Sequence, residues 1–334
     1  MPARPSAAGA LARVFRFEYL AAALPGVTIT FFMSARSPDE LLHRAPIVGL
    51  AVGVLIIFSC LGINAIVDRE IDGQYLTDKT RIASGVGVVG PARIWTIIAA
   101  MNVIAFVLAV DLCIQFGSWI PLALASAQAL CAYGYSVPPL QFKLRGVLPH
   151  ALSLALATCF IPFILSVYTF LGTVPALLVA YLLGFAVLQY GLEFSNQALD
   201  YLEDRAAGLK TPAVRLGVPG SLRTSLAVVF TGSLIVFVAL LAMYFERSWE
   251  TDPVRSRRDV LFAWGLSVLA VAAGYALPTA RTWQMLRLCR DQPPEMCVPK
   301  LPALCNYAHW QASSVTGIAA GTAVFFVVTN YVWR

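Results

Sequence analysis

Two sets of residues in this sequence have types and spacing that could do chemistry: Asn64, Asp68 and Asp72, and Asn196, Asp200 and Asp204. Each is an Asn-x3-Asp-x3-Asp run at the end of a long apolar stretch. Acidic residues are scarce, 18 in 334, so two matching sets stand out from the background. On a helix, steps of four turn each side chain only about 40° from the last. One amide and two carboxylates then share a face along about 12 Å of axis. Oxygen donors in this arrangement suit a hard cation such as Mg2+, which in turn suits a phosphate ligand.

The elements that must position these sets are apolar. The chain is 59% hydrophobic and 13% charged, against about 25% charged in a soluble domain. Nine stretches are expected to cross a bilayer as helices: 17–34, 46–66, 92–110, 115–134, 147–170, 173–199, 222–245, 259–280 and 308–332. Lipid offers the backbone no partners, and the alternation of a β-barrel is missing, so helices are required. The expected architecture is an all-α integral membrane protein: a nine-transmembrane-helix bundle with a central cavity over residues 17–334, after an N-terminal segment 1–16. With that segment in the cytoplasm, most of the 24 Lys and Arg residues fall on the cytoplasmic side. Both acidic sets then fall there too, which predicts a cytoplasmic-side active site. The net charge of +6 reads as membrane orientation plus anion binding. A nucleic-acid role would need a basic surface interleaved with aromatics, and none is seen.

Two stretches break the apolar background in the same way. Residues 67–91 and 200–221 each follow an acidic set, carry basic residues (Lys79 and Arg81; Arg205, Lys210 and Arg215), and contain Gly, Pro and Thr. Both are expected as loops. The pattern of apolar helix, acidic face and basic loop thus reads as a weak internal duplication, which transporters also show. A third polar feature runs from Tyr133 through Tyr135, Pro138 and Pro139 to Lys143 and Arg145. On spacing alone it is equally a topological anchor and a diphosphate clamp. Cys60, Cys113, Cys131 and Cys159 read as small buried hydrophobes. Cys289, Cys297, Cys305 and His309 are spaced too widely for a compact zinc pattern. His150 and His309 read as interfacial residues, and most tryptophans as anchoring belts.

If the ligand is an isoprenyl diphosphate, its tail needs a long apolar cavity. Its charged head needs neutralisation in a low-dielectric setting. Facing carboxylate sets could hold Mg2+ ions that stabilise the leaving diphosphate, with Lys and Arg adding charge-assisted hydrogen bonds. The allylic cation left behind needs a dry cavity and aromatic faces.

The motifs carry a family resemblance. Asn64-Ala-Ile-Val-Asp68-Arg-Glu-Ile-Asp72 resembles the first aspartate-rich motif of the UbiA superfamily of intramembrane prenyltransferases. The run from Asn196 to Thr211, with its trailing Gly-Leu-Lys-Thr, resembles the second. Thr80-Arg81-Ile82-Ala83-Ser84-Gly85 resembles the segment after the first motif, although proline is usual where Ile82 stands. Tyr135 to Lys143 resembles the tyrosine–lysine segment. The resemblance implies Mg2+-dependent transfer of a prenyl group from a prenyl diphosphate to a small hydrophobic acceptor, often an aromatic or quinone precursor, with pyrophosphate release. It implies that Asn64, Asp68, Asp72, Asn196, Asp200 and Asp204 bind the metals. Arg81, Lys143 and Lys210 would contact diphosphate, and Tyr135 would lie near the reacting carbon or the phosphate.

Glu193 comes from the residues alone. It lies one turn deeper than Asn196, and an ionisable group at that depth is a functional candidate. It could hydrogen-bond an acceptor hydroxyl, accept its proton, stabilise the cation, or simply bond a neighbouring helix. Two rival readings share parts of this picture. A terpene cyclase of the same superfamily would capture the cation with its own chain. A cation-coupled transporter would place its carboxylates at broken helices in mid-membrane, whereas these lie at span ends.

Overall fold

The computed structural model describes residues 6–73, 78–251 and 257–329. The end of the expected span 308–332, and residues 74–77 of the expected loop 67–91, lie outside them. Among the described residues there are helices and no strands. In chain order they are α1 (Ala7–Val14), α2 (Leu20–Ser34), α3 (Arg44–Val67), α4 (Arg69–Asp72), α5 (Asp78–Val89), α6 (Pro91–Phe116), α7 (Ile120–Ser136), α8 (Val147–Ala155), α9 (Ile161–Leu171), α10 (Ala176–Leu199), α11 (Tyr201–Ala206), α12 (Pro212–Thr251), α13 (Arg257–Cys289), α14 (Pro294–Cys297) and α15 (Tyr307–Val327).

Among the described residues, seven helices are long and apolar enough to cross a bilayer: α3, α6, α8 with α9, α10, α12, α13 and α15. The other two expected spans are shorter helices. α2 has 15 residues and α7 has 17, which reach about 22 and 26 Å against a hydrocarbon core of about 30 Å. A 3-10 turn at Phe17–Tyr19 precedes α2, and Val137-Pro138-Pro139 follows α7.

The two stretches expected as loops are mostly helical where described. α4 and α5 occupy much of 67–91, while α11 and the start of α12 occupy most of 200–221. Proline and glycine delimit helices here instead of abolishing them. Pro91 takes the first turn of α6, where a missing N–H costs nothing. Gly217, at φ +70°, bends α12 two residues before Pro219.

The chain packs as two compact units. The first contains residues up to Tyr19, Val48–Leu165 and Glu203–Thr211. Its core joins α1, α3, α5 and α6 through Ala10, Val14, Phe15, Ile63, Ala65, Ile82, Val86, Ile94 and Ile98. A single π turn, Leu156–Phe160, lies between α8 and α9. Such a turn leaves carbonyls without helical partners. Gln128 of α7 supplies one: its Nε2 donates to Ala157 O at 3.0 Å and to Gly53 O at 2.9 Å.

The second unit contains Leu20–Ile47, Ser166–Leu202 and Pro212 onward. Its helices meet at small residues and are joined by hydroxyl bonds, as expected where lipid removes the hydrophobic drive between helices. α10 is bonded to α12 and α13 through Ser195, whose Oγ lies 2.9 Å from both Ser225 Oγ and Thr282 Oγ1. Gln189 Nε2 donates to the Tyr275 hydroxyl at 2.8 Å and to Ser314 Oγ at 3.0 Å, joining α10, α13 and α15. α13 and α15 cross at Gly274 and Gly317. A Cβ on Gly274 would stand 2.7 Å from Ser313 O and 2.8 Å from Gly317 Cα.

That crossing predicts a contrast within one helix. Gly274→Ala should cost about 1–3 kcal/mol by overpacking against backbone. Gly265→Ala, which meets nothing within 4 Å, should be neutral or slightly stabilising. Thermal unfolding in detergent measures both, and equal midpoints would refute the close crossing.

Candidate functional site

The first acidic set lies where α3 gives way to α4. Asn64 is in the last turn of α3, Asp68 is the single residue between the helices, and Asp72 ends α4. The backbone keeps helical bonding through the set, with Asp68 N–H donating to Asn64 O at 2.9 Å and Asp72 N–H to Asp68 O at 2.8 Å. Asp68 itself has φ −89° and ψ −1°, in the sparsely used bridge region where active-site residues recur. The set is therefore a helix face with a joint in its middle, not the uninterrupted face expected from the spacing.

The Tyr135–Lys143 segment wraps onto this set. Lys143 Nζ donates to both oxygens of Asp68, at 2.5 and 2.6 Å, and lies 3.4 Å from Asn64 Oδ1. Ser136 Oγ donates to the same Asn64 oxygen at 2.6 Å. Two donors on Asn64 orient its amide with the oxygen towards Lys143. Arg145, the second basic residue of the segment, holds its own loop: Nε donates to Leu140 O, and Nη2 to Pro139 O at 2.5 Å. The Tyr135 hydroxyl lies 2.9 Å from His150 Nε2. His150, expected at the membrane interface, is instead buried.

Asp72 is buried, at 6% exposure. Burial, reinforced by the neighbouring Asp68 carboxylate, pushes its carboxyl up to about 6, against the opposing charges of Lys79, Arg16 and Lys143. The charges of Lys79 and Arg16 therefore act on this site. Arg81, two residues beyond Lys79, is on the exposed face of α5.

The second set repeats the joint. Asn196 lies in the last turns of α10, Asp200 stands alone between α10 and α11, and Asp204 lies in α11. Asp200 has φ −87° and ψ 0°, almost the values of Asp68. Asp204 is buried and accepts from Thr211 Oγ1 at 2.9 Å. The segment Glu203–Thr211, with Asp204 and exposed Lys210, packs as part of the first unit, which also carries Asn64, Asp68 and Asp72.

Asn196, Asp200 and Glu193 belong to the second unit. The Glu193 carboxyl is hydrogen-bonded by Tyr307, Gln197 and Asn196 and lies near Asp200. Tyr307 is held in turn by Gln311 Nε2, which donates to its hydroxyl at 2.8 Å. Cys305 adjoins the same group: burial, then the charges of Glu193 and Asp200, push its thiol up to about 12. Cys289 and Cys297 are buried and hydrogen-bonded to each other.

No three His, Cys, Asp or Glu side chains among the described residues form a group able to hold a metal by themselves. Mg2+ usually takes one or two carboxylates and completes its shell with phosphate oxygens and water. Asn64, Asp68 and Asp72 offer only oxygen donors. The carboxylates of Asp68 and Asp72 are close enough to oppose each other's charge, and a divalent cation bound there would relieve that opposition.

A model of the UbiA prenyltransferase family matches residues 22–251, more than half of the chain. The chain belongs to the UbiA prenyltransferase family. Both acidic sets and the tyrosine–lysine segment lie inside the matched range. The structure resembles a UbiA homolog from Archaeoglobus fulgidus solved bound to GPP and Mg2+, with 17% identity and a TM-score of 0.58 over 94% of this chain and 99% of that one. It also resembles that homolog bound to DMAPP and Mg2+, with 18% identity and a TM-score of 0.56 over 94% and 98%. No protein of curated function matches the sequence. At these identities the likeness establishes the UbiA fold, and with the spanning helices it makes this chain a multi-pass membrane protein.

Sequence reading missed Ser136, Arg16 and the buried place of His150 in the first unit, and Tyr307, Gln311 and the place of Cys305 in the second. Ser136 sits inside a recognised segment. Tyr307 and Cys305 are about a hundred residues from the motif they serve, with no spacing signal to link them.

The Asp68–Lys143 pair gives a direct test. Asp68→Asn and Lys143→Met should each destabilise the protein. The double variant should lose less than the sum, with a coupling of about 0.5–3 kcal/mol. Denaturation in detergent without divalent ions measures the cycle, and additive losses would refute the pairing.

Proposed function

We propose that this UbiA-family protein is a Mg2+-dependent intramembrane prenyltransferase. It moves a prenyl group from a prenyl diphosphate to a small hydrophobic acceptor, aromatic or a quinone precursor, and releases pyrophosphate. The observation that carries the reading is the repeated joint: each Asn-x3-Asp-x3-Asp set ends a long apolar helix and puts its middle aspartate in the same backbone conformation. The A. fulgidus homolog bound to GPP or DMAPP with Mg2+ adds support.

In this proposal Asn64, Asp68 and Asp72 hold metal at the end of α3, and Asn196, Asp200 and Asp204 hold metal at the α10–α11 joint. When bound, Mg2+ neutralises the diphosphate and eases its departure. Lys143, already an ion-pair donor, supplies charge-assisted hydrogen bonds to the phosphate oxygens, as do Arg81 and Lys210. Tyr135 lies close to the reacting carbon. Glu193 serves the acceptor: its neutral donors Tyr307, Gln197 and Asn196 keep the carboxyl accepting hydrogen bonds, suited to an acceptor hydroxyl. The chain crosses the membrane nine times, α2 and α7 included, with the N-terminus and both acidic sets on the cytoplasmic side.

Purified protein with GPP, Mg2+ and a panel of aromatic acids, hydroquinones and lipid alcohols should release pyrophosphate and form a prenylated acceptor. A cyclic product without acceptor would assign a cyclase instead, and no release from any prenyl diphosphate would end the proposal. Chelation by EDTA should abolish release, and added Mg2+ should restore it. Asp68→Ala and Asp200→Ala should each cut release about a hundredfold or more while the protein still folds. Lys143→Met should raise the KM for prenyl diphosphate about tenfold or more, the worth of one charged hydrogen bond. Glu193→Gln should impair acceptor use more than prenyl diphosphate binding. Near-normal turnover in either aspartate variant would remove the metal roles.

A further inference from the structure

His150 has no place in either acidic set or the tyrosine–lysine segment, yet it is one of the most enclosed polar residues of the first unit, at 3% exposure. It lies in the first turn of α8, beyond the loop that carries Lys143, and faces back towards the end of α7. There the Tyr135 hydroxyl lies 2.9 Å from its Nε2. The two rings also meet edge to face, with centroids 5.2 Å apart and planes at 63°. A hydrogen bond and a ring contact between the same two side chains leave Tyr135 little rotational freedom.

Acidity favours one direction for the bond. A phenol is a far stronger acid than a neutral imidazole N–H, so O–H donating to N is the favoured arrangement. In that arrangement the ring carries its proton on Nδ1 and offers a lone pair at Nε2. Tyr135 has a single hydroxyl proton, and this bond uses it.

We propose that His150 is a positioning residue: by accepting the Tyr135 hydroxyl it fixes the phenol ring and withholds that proton from the substrate. The inference rests on the prenyltransferase reading for its consequence. Tyr135 then serves the reaction with its aromatic ring, facing the allylic cation, and not as a hydrogen-bond donor to the departing diphosphate. The cationic side chains carry the phosphate recognition.

Two measurements test this. In protein labelled with 15N-histidine there are only three ring systems, His43, His150 and His309. His150 should show an unprotonated Nε2 at neutral pH, and Tyr135→Phe should shift that resonance and leave the other two in place. A protonated Nε2, or a resonance that Tyr135→Phe does not move, overturns the proposal whether or not the enzyme turns over. The second measurement is pyrophosphate release from GPP with Mg2+. Tyr135→Phe and His150→Leu should each lower kcat by a similar three- to tenfold, and the double variant should fall no further than either. His150→Gln, whose amide oxygen accepts the same bond, should recover at least half of the His150→Leu loss, and Tyr135→Leu should fall well below Tyr135→Phe. Additive losses, or a Tyr135→Phe defect far exceeding that of His150→Leu, would show the hydroxyl acting on substrate and overturn the inference. Absence of release from the unaltered protein would count against the prenyltransferase reading alone, and the NMR result would still decide the bond.

Discussion

A carboxylate at the end of an apolar helix must be neutralised, and the rest of the first unit is arranged around that requirement. Desolvating Asp68 without a partner would cost several kcal/mol. Lys143 meets the cost by donating to both carboxylate oxygens. To bring Lys143 there, the chain leaves α7 at Ser136, runs through two prolines, and turns back in a short 3-10 helix at Phe142–Leu144. Arg145 stabilises the turn by satisfying two of its carbonyls. Ser136 and Lys143 then orient Asn64. The loop, the ion pair and the amide orientation are one structure, and none of its parts has an evident purpose without the carboxylate.

The same solution could not be stretched to a second buried acid beside the first. Asp72 adjoins Asp68, and burial first, then the Asp68 charge, raise its carboxyl against the charges of Lys79, Arg16 and Lys143. A bridge-region residue interrupts the regular spacing of side chains at the position where two carboxylates must point to a common place, and it does so while the backbone bonds on either side persist. Its recurrence at Asp200 argues that the joint belongs to the motif and is not an accident of one loop.

Much of this was legible in the sequence, for physical reasons. Scarcity of charge made the two acidic sets conspicuous, and length and apolarity identified the long helices. The Tyr135–Lys143 segment could be located but not interpreted, because spacing cannot say whether a lysine faces lipid headgroups or a carboxylate. The stretches after each set were misread as loops because Gly, Pro and Thr were counted without regard to position: Pro91 and Pro212 stand at helix starts, where proline is tolerated. The partners of Glu193 and Tyr135 were invisible. His150 reaches Tyr135 across a turn, and Tyr307 reaches Glu193 from the last helix. Neither separation has a period that a sequence pattern could reveal.

Asp68 and Glu193 show two ways of keeping a carboxyl group in apolar surroundings, and the difference bears on their work. The partner of Asp68 is a cation. In the proposed reaction another cation would take its place by exchanging one charge interaction for another, and the lysine would be free to meet a phosphate. The partners of Glu193 are a phenol and two amides, themselves fixed by further bonds such as that from Gln311. Displacing them with a metal would strand polar groups, of which Gln197 is buried, and a buried group left unpaired costs about 1–3 kcal/mol. A carboxyl held by neutral donors is thus a poor metal ligand and a well-oriented hydrogen-bond acceptor. The acceptor role proposed for Glu193 rests on this difference, although the residue lies on the same helix as Asn196 and within two turns of Asp200.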